Sequence, residues 1–422
     1  NGLIAEALTG NKDLLIAAAR IEEYRGRYGV ARADRFPGVK GEASASRQRI
    51  TEEGYASVPA GVSPTYNTFQ PTLNASWEID LWGKYRRAAE AARADLLGSE
   101  EGRRAAILSL VTSVTTAYVN LLNFDRQLEI ARRTVETRKA SLDMFTLRFA
   151  GGVISQLELS QSQAEYDDAR TYLPQLEKAI AQQEHALCIL LGRDPGPIPR
   201  GRRMDELVLP EIPAGLPSEL LERRPDIRQA EQDLVSAQAR IGVAKAAYFP
   251  SISLTGFFGF ASADLSNLFS GPARVWNYGA SLSVPIFTAG RITGQVRAAE
   301  AVREQSLLRY RQVIQKAFQD VEDALVGQRK SRERLEAQAR QVEAVRTYKD
   351  LARLRYDNGY SSYLEVLDAE RSLFNVELDY TKTQGARFQA MVDLYKALGG
   401  GWVTVAEDRA RPPDGPVAAG RP

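Results

Sequence analysis

Two carboxylates near the end of the chain have a spacing that could support chemistry. Glu365 and Asp368 lie in the stretch YLEVLDAERSLF, which begins at Tyr363. Because they are three residues apart, they would be neighbours on one face of a helix. Paired carboxylates can serve as the acid and base of a hydrolase. Here both belong to one helix, and no Gly-rich loop or histidine lies nearby, so we expect no enzyme. Closely spaced carboxylates also repel one another and attract cations, which favours a role in ion selectivity.

Composition excludes several other kinds of site. His185 is the only histidine and Cys188 the only cysteine. A histidine-based triad, a multi-histidine metal site and an intrachain disulfide are therefore excluded, and we expect no metal and no cofactor. The formal net charge is only +2, from 55 Lys and Arg against 53 Asp and Glu. This balance argues against nucleic acid as the main partner.

The sequence contains no continuous run of 18 apolar residues, so we expect no transmembrane helix. The chain opens directly in a helical pattern, NGLIAEALTG, without a signal peptide. We expect that the start of the natural chain has been trimmed or processed.

A long internal repeat organises the chain. LRYDNGYSSYLEVLDAERSLF starts at Leu354, and LRFAGGVISQLELSQSQAEYD starts at Leu147, 207 positions earlier (354 − 147). The match continues without a gap from Ile79 and Ile286 to Gly192 and Gly399. A second block pairs ARADRFPGV (31–39) with AKAAYFPSI (244–252). The period is too long for a stacked solenoid, so the sequence indicates one structural unit that is duplicated.

A very long helix is predicted in each half. In the first half, apolar residues recur every seven positions over 82–150: Ile107, Val114, Leu121, Leu128, Val135, Leu142 and Phe149. This is coiled-coil spacing, sustained over about 100 Å of helix. Residues 12–34 and 153–192 predict two shorter helices that, placed end to end, would match that length.

Four segments alternate between apolar and small polar residues. Phe69, Leu73 and Trp77 alternate with Asn74 and Ser76 in NTFQPTLNASWEIDLW, and FPSISLTGFFGFAS and VWNYGASLSVPIF show the same alternation. The fourth segment, after Pro37, shows it more weakly, with Val39 and Ala43 against Lys40 and Glu42. The pattern is typical of transmembrane β-barrel strands, although a soluble sheet with one wet face remains an alternative. Because four strands cannot close a barrel and open edges cannot sit in lipid, several chains would have to share one barrel.

The predicted organisation follows from these elements. The first repeat, 1–192, contains a helix, a strand pair (36–50 and 66–81), the long helix 82–150 and a return helix 153–192. A Pro-rich linker, 193–223, carries arginines that we expect to be solvated. The second repeat, 224–402, contains a helix, a strand pair (250–262 and 274–288), the long helix 289–357 and a return helix 361–398. Residues 403–422 read as a disordered tail.

Each repeat is expected to end in a tight turn between its long helix and its return helix. Gly152 and Gly359 supply residues that tolerate positive φ. Ser155 and Ser362 are candidate N-caps, with Glu158 and Glu365 three residues later completing capping boxes. Capping alone would explain both glutamates.

Five motifs carry a resemblance to a known family: LPSELLERRPDI (216–227), AKAAYFPSISL (244–254), VPIFTAGR (284–291), YLEVLDAERSLF (363–374) and LYKALGGGW (394–402). Together they resemble outer-membrane factors of the TolC/OprM type, closest to OprM-like efflux lipoproteins, over nearly the whole chain. The resemblance implies a mixed α+β membrane fold. Three copies would form a twelve-stranded β-barrel in the outer membrane of a Gram-negative bacterium, continuous with a periplasmic α-helical barrel.

The resemblance also implies the function. The trimer would be a passive channel, the exit duct of a tripartite pump that expels drugs and other toxic small molecules. Its partners would be a periplasmic adaptor, an inner-membrane RND-type transporter and outer-membrane lipid. The alternatives are a type I secretion channel for proteins and a coiled-coil scaffold. Cys188 lies mid-chain in a helical stretch and does not match the family's lipidated cysteine.

Site residues follow from the same resemblance. A periplasmic gate would contain an apolar ring at Leu364 and acidic rings at Glu365 and Asp368, with Arg371 one turn beyond. Latch bonds between hairpins could involve Arg355, Tyr356 and Gln161, or these side chains could simply be solvated or packed. Gln161 stands in the first repeat where the second has Asp368, as expected if one hairpin lines the gate more closely. The adaptor would dock on the two hairpin tips, at Arg148, Gly151, Gly152, Ser155, Asn358, Gly359 and Ser362.

Overall fold

The computed structural model describes residues 2–51, 61, 63–207, 209 and 219–400. Contacts divide the chain into two units. The helical unit comprises Asn1–Ala19, Glu101–Arg228 and Arg311–Pro422, and the sheet unit comprises Arg20–Glu100 and Gln229–Tyr310. Each unit therefore draws residues from both predicted repeats. The proposed tail, 403–422, and part of the linker, 208 and 210–218, lie outside the described residues.

The sheet unit contains one antiparallel sheet in the order β1-β2-β3-β4. Its strands are Gly38–Arg49 (β1), Thr65–Glu78 (β2), Ser251–Phe260 (β3) and Arg274–Ser283 (β4). The strand pairs of the two repeats join through β2 and β3. β4 ends five residues before the predicted boundary at 288, two residues before Pro285, which has no N–H to donate to a ladder.

Strand register separates the side chains into two faces. On one face, Leu73 of β2 lies opposite Phe258 of β3, and Phe258 lies opposite Trp276 of β4. On the other face, Asn74 lies opposite Phe257, and Phe257 lies opposite Asn277, among the small polar residues of the four strands. In the part of the chain that the structure describes, β1 and β4 are each paired along one edge only.

Eight α-helices are described. They are Gly2–Gly10 (α1), Lys12–Ala33 (α2), Lys84–Ala150 (α3), Gln156–Leu191 (α4), Glu219–Arg223 (α5), Pro225–Ala246 (α6), Arg291–Asp357 (α7) and Tyr363–Ala397 (α8). The two long helices, α3 and α7, each contain 67 residues. Each is therefore about 100 Å long.

Two short helices meet end to end, as expected from their lengths. The Asn11 side chain, at the start of α2, donates to the Leu190 carbonyl near the end of α4 at 2.9 Å and accepts from the Leu14 N–H at 3.1 Å. Gly192 has a φ of 77° and lies against the backbone of Gly10, where a Cβ would collide. Buried side chains of α1, α2, α3 and α4 form one apolar cluster around this junction.

Three linker arginines lie at the surface, as expected of a solvated linker, and they also form ion pairs with the helices. Arg200 binds both carboxylate oxygens of Asp125 at 2.9 and 3.1 Å and also contacts Glu184. The hydrogen bonds that Arg200 donates to Asp125, and to a lesser extent to Glu184, raise the pKa of Arg200. Arg193 pairs with Glu6 at 3.1 Å, and Arg203 pairs with Glu129 at 3.0 Å. A guanidinium binds a carboxylate in a two-point geometry, so the arginines fix this segment to the helices.

Among the described residues, one helix, α3, is long and apolar enough by length and composition to cross a membrane. The sequence criterion of a continuous apolar run did not detect it. In its most apolar window, 56% of the residues are buried inside the protein, which is typical of a core helix.

A buried polar seam joins α3 to α8. The Asn123 amide donates to the Thr381 carbonyl at 2.6 Å, and Gln127 donates to the Asn123 side-chain oxygen at 2.5 Å. Asn123 is 7% exposed and Thr381 is 2% exposed. The Asn123 amide lies where a Cβ on Gly385 would be, so the seam requires glycine at that position.

We predict opposite effects for two mid-helix glycine substitutions. Gly385→Ala should destabilise the protein by about 1–3 kcal/mol, because the new methyl group collides with Asn123. Gly327→Ala in α7 is the matched control, since nothing lies within 4 Å of its Cβ position. It should stabilise by up to about 1 kcal/mol through helix propensity. The thermal unfolding midpoints of the two variants and of the unmodified protein measure both effects. A midpoint for Gly385→Ala that equals or exceeds that of the unmodified protein would contradict the seam.

Candidate functional site: the two hairpin ends

The first hairpin end joins α3 to α4 through a glycine turn. Gly152 has a φ of 70°, and the Val153 N–H donates back to the Arg148 carbonyl at 2.9 Å. Ser155 is the N-cap of α4: its hydroxyl accepts from the Glu158 N–H at 3.3 Å, and the Glu158 carboxylate accepts from the Ser155 N–H at 2.9 Å. The predicted capping box is confirmed here.

The second hairpin end has the same turn but a different cap. Gly359 has a φ of 75°, and the Tyr360 N–H donates to the Arg355 carbonyl at 2.9 Å. Ser362 is the N-cap residue of α8, but its side chain makes no capping bond. The predicted second capping box is therefore wrong. The Glu365 carboxylate is instead directed to the Arg355 guanidinium, with Nε and Oε1 3.5 Å apart.

Asp368 is held from two sides. The Tyr348 hydroxyl on α7 donates to its Oδ2 at 3.3 Å, and Arg371 on the next turn of α8 donates to its Oδ1 at 3.1 Å. Tyr348 was missed at the sequence level. It lies ten residues before Asn358 and Asp368 lies ten after it, so counting outward from the turn of an antiparallel hairpin would have found the pair.

Three of the four gate candidates lie on one exposed side of α8, and Glu365 lies at its margin with a side chain that is 30% exposed. Leu364 is 60% exposed, and the Asp368 and Arg371 side chains are 51% and 56% exposed. The opposite side of the helix, which includes Tyr363, Val366 and Ala369, is buried. The candidate gate is thus an open face on a helix whose other face is fixed.

The latch candidates are not brought together. Arg355 contacts Glu365, as described above. Tyr356 turns inward, with its ring centroid 6.4 Å from that of Phe145 and 5.2 Å from that of Tyr363. Gln161 lies half-buried on α4.

Tyr363 fastens α8 to the first hairpin and was also missed at the sequence level. It is 2% exposed, and its ring lies 4.1 Å from the ring of Phe145 on α3. Its hydroxyl forms hydrogen bonds with Ser141 on α3 and Ser162 on α4. Burial raises the pKa of Tyr363 to about 12, so the hydroxyl stays protonated at physiological pH. The matching position in the first repeat is Gln156. The large aromatic residue at this position in the second repeat was the sequence signal that could have identified Tyr363.

A layer of charge lies farther along the helices. The Arg138 side chain on α3 is 3% exposed, and its Nη1 donates to the Glu165 carbonyl at 2.5 Å and to Asp168 at 3.4 Å. Its guanidinium also lies 5.5 Å from the ring centroid of Phe374 on α8. Burial raises the pKa of Glu370, and the charges of Arg353 and Arg138 oppose that shift. These ion pairs and the cation–π contact link α3 to α4 and α8.

The docking candidates are mostly exposed at the two turns. Arg148 is half-buried, while the other six lie on the surface: Gly151, Gly152, Ser155, Asn358, Gly359 and Ser362. Large apolar side chains surround them. Leu147 and Val153 are 75% and 73% exposed at the first tip, and Leu354 and Tyr360 are 59% and 80% exposed at the second.

Comparison with known proteins gives the class of the molecule. The family model described as outer membrane efflux protein matches residues 3–193 and 216–400. The chain belongs to this family. Its members form passive channels, trimeric in the solved structures, with one barrel of strands and one of helices.

Individual relatives are similar over nearly the whole chain. The cation efflux system protein CusC of Escherichia coli is 38% identical over 402 residues, covering 95% of this chain and 85% of CusC. The probable efflux pump outer membrane protein TtgC of Pseudomonas putida is 37% identical, covering 95% and 82%. The crystal structure of the Campylobacter jejuni CmeC outer membrane channel superimposes with a TM-score of 0.89 at 27% identity, covering 97% of this chain and 89% of that one.

The fold and the family together establish the general function. The protein is an outer-membrane exit duct of a tripartite efflux pump and extends into the periplasm. Members of the family are passive channels rather than enzymes, so we assign no catalysis to Glu365 and Asp368.

We predict that the two N-cap serines differ in importance. Ser155→Ala should destabilise the start of α4 by about 1 kcal/mol, because it removes a side-chain cap. Ser362→Ala should change the start of α8 by only a few tenths of that amount, since Ser362 provides no such bond. Hydrogen exchange of the first-turn amides in each helix measures this difference. Equal acceleration in both variants would contradict the two cap geometries.

We predict a second contrast between two tyrosines. Tyr363→Phe should destabilise the protein by about 1–3 kcal/mol, because it leaves buried hydroxyl groups of Ser141 and Ser162 without their partner. Tyr360→Phe, at an 80% exposed side chain, should be neutral. Thermal unfolding midpoints compare the two, and indistinguishable midpoints would show that the Tyr363 hydroxyl bonds contribute nothing.

Proposed function

We propose that the second hairpin carries the periplasmic gate of the duct, formed by Leu364, Glu365, Asp368 and Arg371. The observation that supports this most strongly is the exposed face of α8, where these side chains lie on a helix fixed from behind by Tyr363. Around a three-fold axis, one exposed face becomes three rings: an apolar ring at Leu364 and carboxylate rings at Glu365 and Asp368.

The contacts within one chain support a pre-organised gate. Arg355 orients Glu365, while Tyr348 and Arg371 orient Asp368. An exposed ion pair is weak. Each bond to Asp368 uses only one lone pair of its oxygen, and Arg355 contacts only Oε1 of Glu365, so both carboxylates keep lone pairs that could face a pore. Three chains would stack two rings of three carboxylates, and such rings attract cations and repel anions. The gate would therefore select for cations.

We propose that a periplasmic adaptor docks on the two hairpin tips and links the duct to an inner-membrane RND-type transporter. The exposed glycine turns and the apolar side chains around them support this proposal. Exposed apolar side chains grouped at one end of a hairpin are typical of a protein–protein contact.

The gate is tested by reversal potentials in a planar bilayer under a salt gradient. The channel should be cation-selective, and Glu365→Gln/Asp368→Asn should lose most of that selectivity. The matched control is Glu158→Gln, which removes a carboxylate from the equivalent position of the first hairpin and retains an oxygen for capping Ser155. Its selectivity should equal that of the unmodified channel. Anion selectivity in the unmodified channel, or unchanged selectivity in the double variant, would exclude the gate as proposed.

The docking surface is tested by adaptor affinity. Val153→Asp and Tyr360→Asp should each weaken the binding of the cognate adaptor at least tenfold, because a charge replaces an apolar contact. The control is Ile189→Asp, at a side chain that is 64% exposed on α4 and far along the helix from the tip. Full affinity in both tip variants would place the docking surface elsewhere.

A further inference from the structure

The apolar face of the sheet contains a depression. Its volume is about 580 Å³, and its lining is mostly apolar. Trp77 of β2, Leu254 of β3 and Tyr278 of β4 form its walls, together with Pro37 ahead of β1, while Ala75 and Gly256 form its floor. All of these residues belong to the sheet unit.

Register explains why the surface is hollow at this level. Ala75 lies opposite Gly256, and neither has a side chain that projects far from the sheet. The next row on one side contains Leu73, Phe258 and Trp276, all large. The row on the other side contains the large residues Trp77 and Leu254 on β2 and β3 and the small residue Ala280 on β4. The depression therefore lies between two raised rows, and Tyr278 bounds it on the β4 side.

The aromatic walls are held in place. The Trp77 indole N–H donates to the Arg35 carbonyl at 3.1 Å. The Tyr278 ring is stacked on Trp276, with centroids 5.6 Å apart and planes at 9°. The indole donor is already used and the lining is mostly apolar, while the Tyr278 hydroxyl adds one polar group to the walls. The chemistry of the depression suits an apolar chain and not a polar ligand.

The depression lies toward the periplasmic ends of the strands. Trp77 is the penultimate residue of β2, whose chain continues into α3, and Leu254 lies in the first half of β3, which follows α6. At about 3.4 Å per residue, Ala75 is roughly 10 Å from the end of β2. Tryptophan at that end is typical of a membrane–water interface. The depression would thus face the periplasmic leaflet, where the lipids are phospholipids.

We infer that this depression binds one acyl chain of a phospholipid from the periplasmic leaflet in each protomer. The apolar face of an outer-membrane sheet is its lipid interface, and the depression is continuous with that interface. An apolar hollow left empty forfeits dispersion contacts, and a flexible acyl chain restores them. A second copy of the chain is a poorer occupant, because the floor lies on the inner strands β2 and β3 and the free edges belong to β1 and β4.

The inference is tested by native mass spectrometry of the protein released from phospholipid nanodiscs. The unmodified protein should retain up to one phospholipid per protomer. Ala75→Leu/Ala280→Leu fills the depression with side chains that are still apolar, and it should retain at least fivefold less lipid. Ala43→Leu is the matched control, since Ala43 is exposed on the same face of β1, outside the depression, and it should retain lipid normally.

The outcomes are separable. Equal lipid retention in the double variant and the control would overturn the inference, and so would an unmodified protein that retains no more phospholipid than the double variant. Should the double variant fail to assemble, p-benzoylphenylalanine placed at Tyr278 provides a second measurement. Photolysis in cells should cross-link that position to phospholipid, and cross-links to lipopolysaccharide or protein alone would contradict the site. None of these results depends on the proposed gate or on adaptor docking.

Discussion

The requirement that every backbone hydrogen-bonding group in lipid finds a partner governs this molecule. Four strands form one sheet, and the outer edges of β1 and β4 carry N–H and C=O groups that the described chain does not pair. Water satisfies such groups in a soluble protein, but hydrocarbon cannot. Only other copies of the chain can close the sheet into a barrel. Assembly of several chains is thus a consequence of strand number, and the solved structures of the family are trimers.

The internal repeat accounts for the rest of the architecture. Each repeat contributes one strand pair, one 67-residue helix and one return helix, and β2 and β3 join the two pairs. The copies then diverged at the hairpin ends. Ser155 and Glu158 cap the first return helix, whereas Glu365 turns to Arg355 in the second. The carboxylates at the two matching positions therefore have different partners.

Much of the fold could be predicted from the sequence because its signals are periodic. The heptad stride predicted α3, two-residue alternation predicted the strand faces, and the repeat offset aligned both turns. Individual side-chain partners could not be predicted, because they depend on which helices become neighbours. Tyr363 looked like the first residue of a helix, and only the packing of three helices places its hydroxyl between Ser141 and Ser162. The linker residue Arg200 is a second case. Its pairing with Asp125 and Glu184 depends on where the linker lies against α3 and α4, which the sequence does not show.

Unsatisfied strand edges make a shared barrel obligatory for this chain in lipid. Light scattering of the detergent-extracted protein, with the detergent mass subtracted, tests it most directly by counting the chains in one particle. We expect three chains per particle and loss of the protein from solution when detergent is removed. A single chain that remains dispersed without detergent would contradict the account, because its free strand edges would then be satisfied by water.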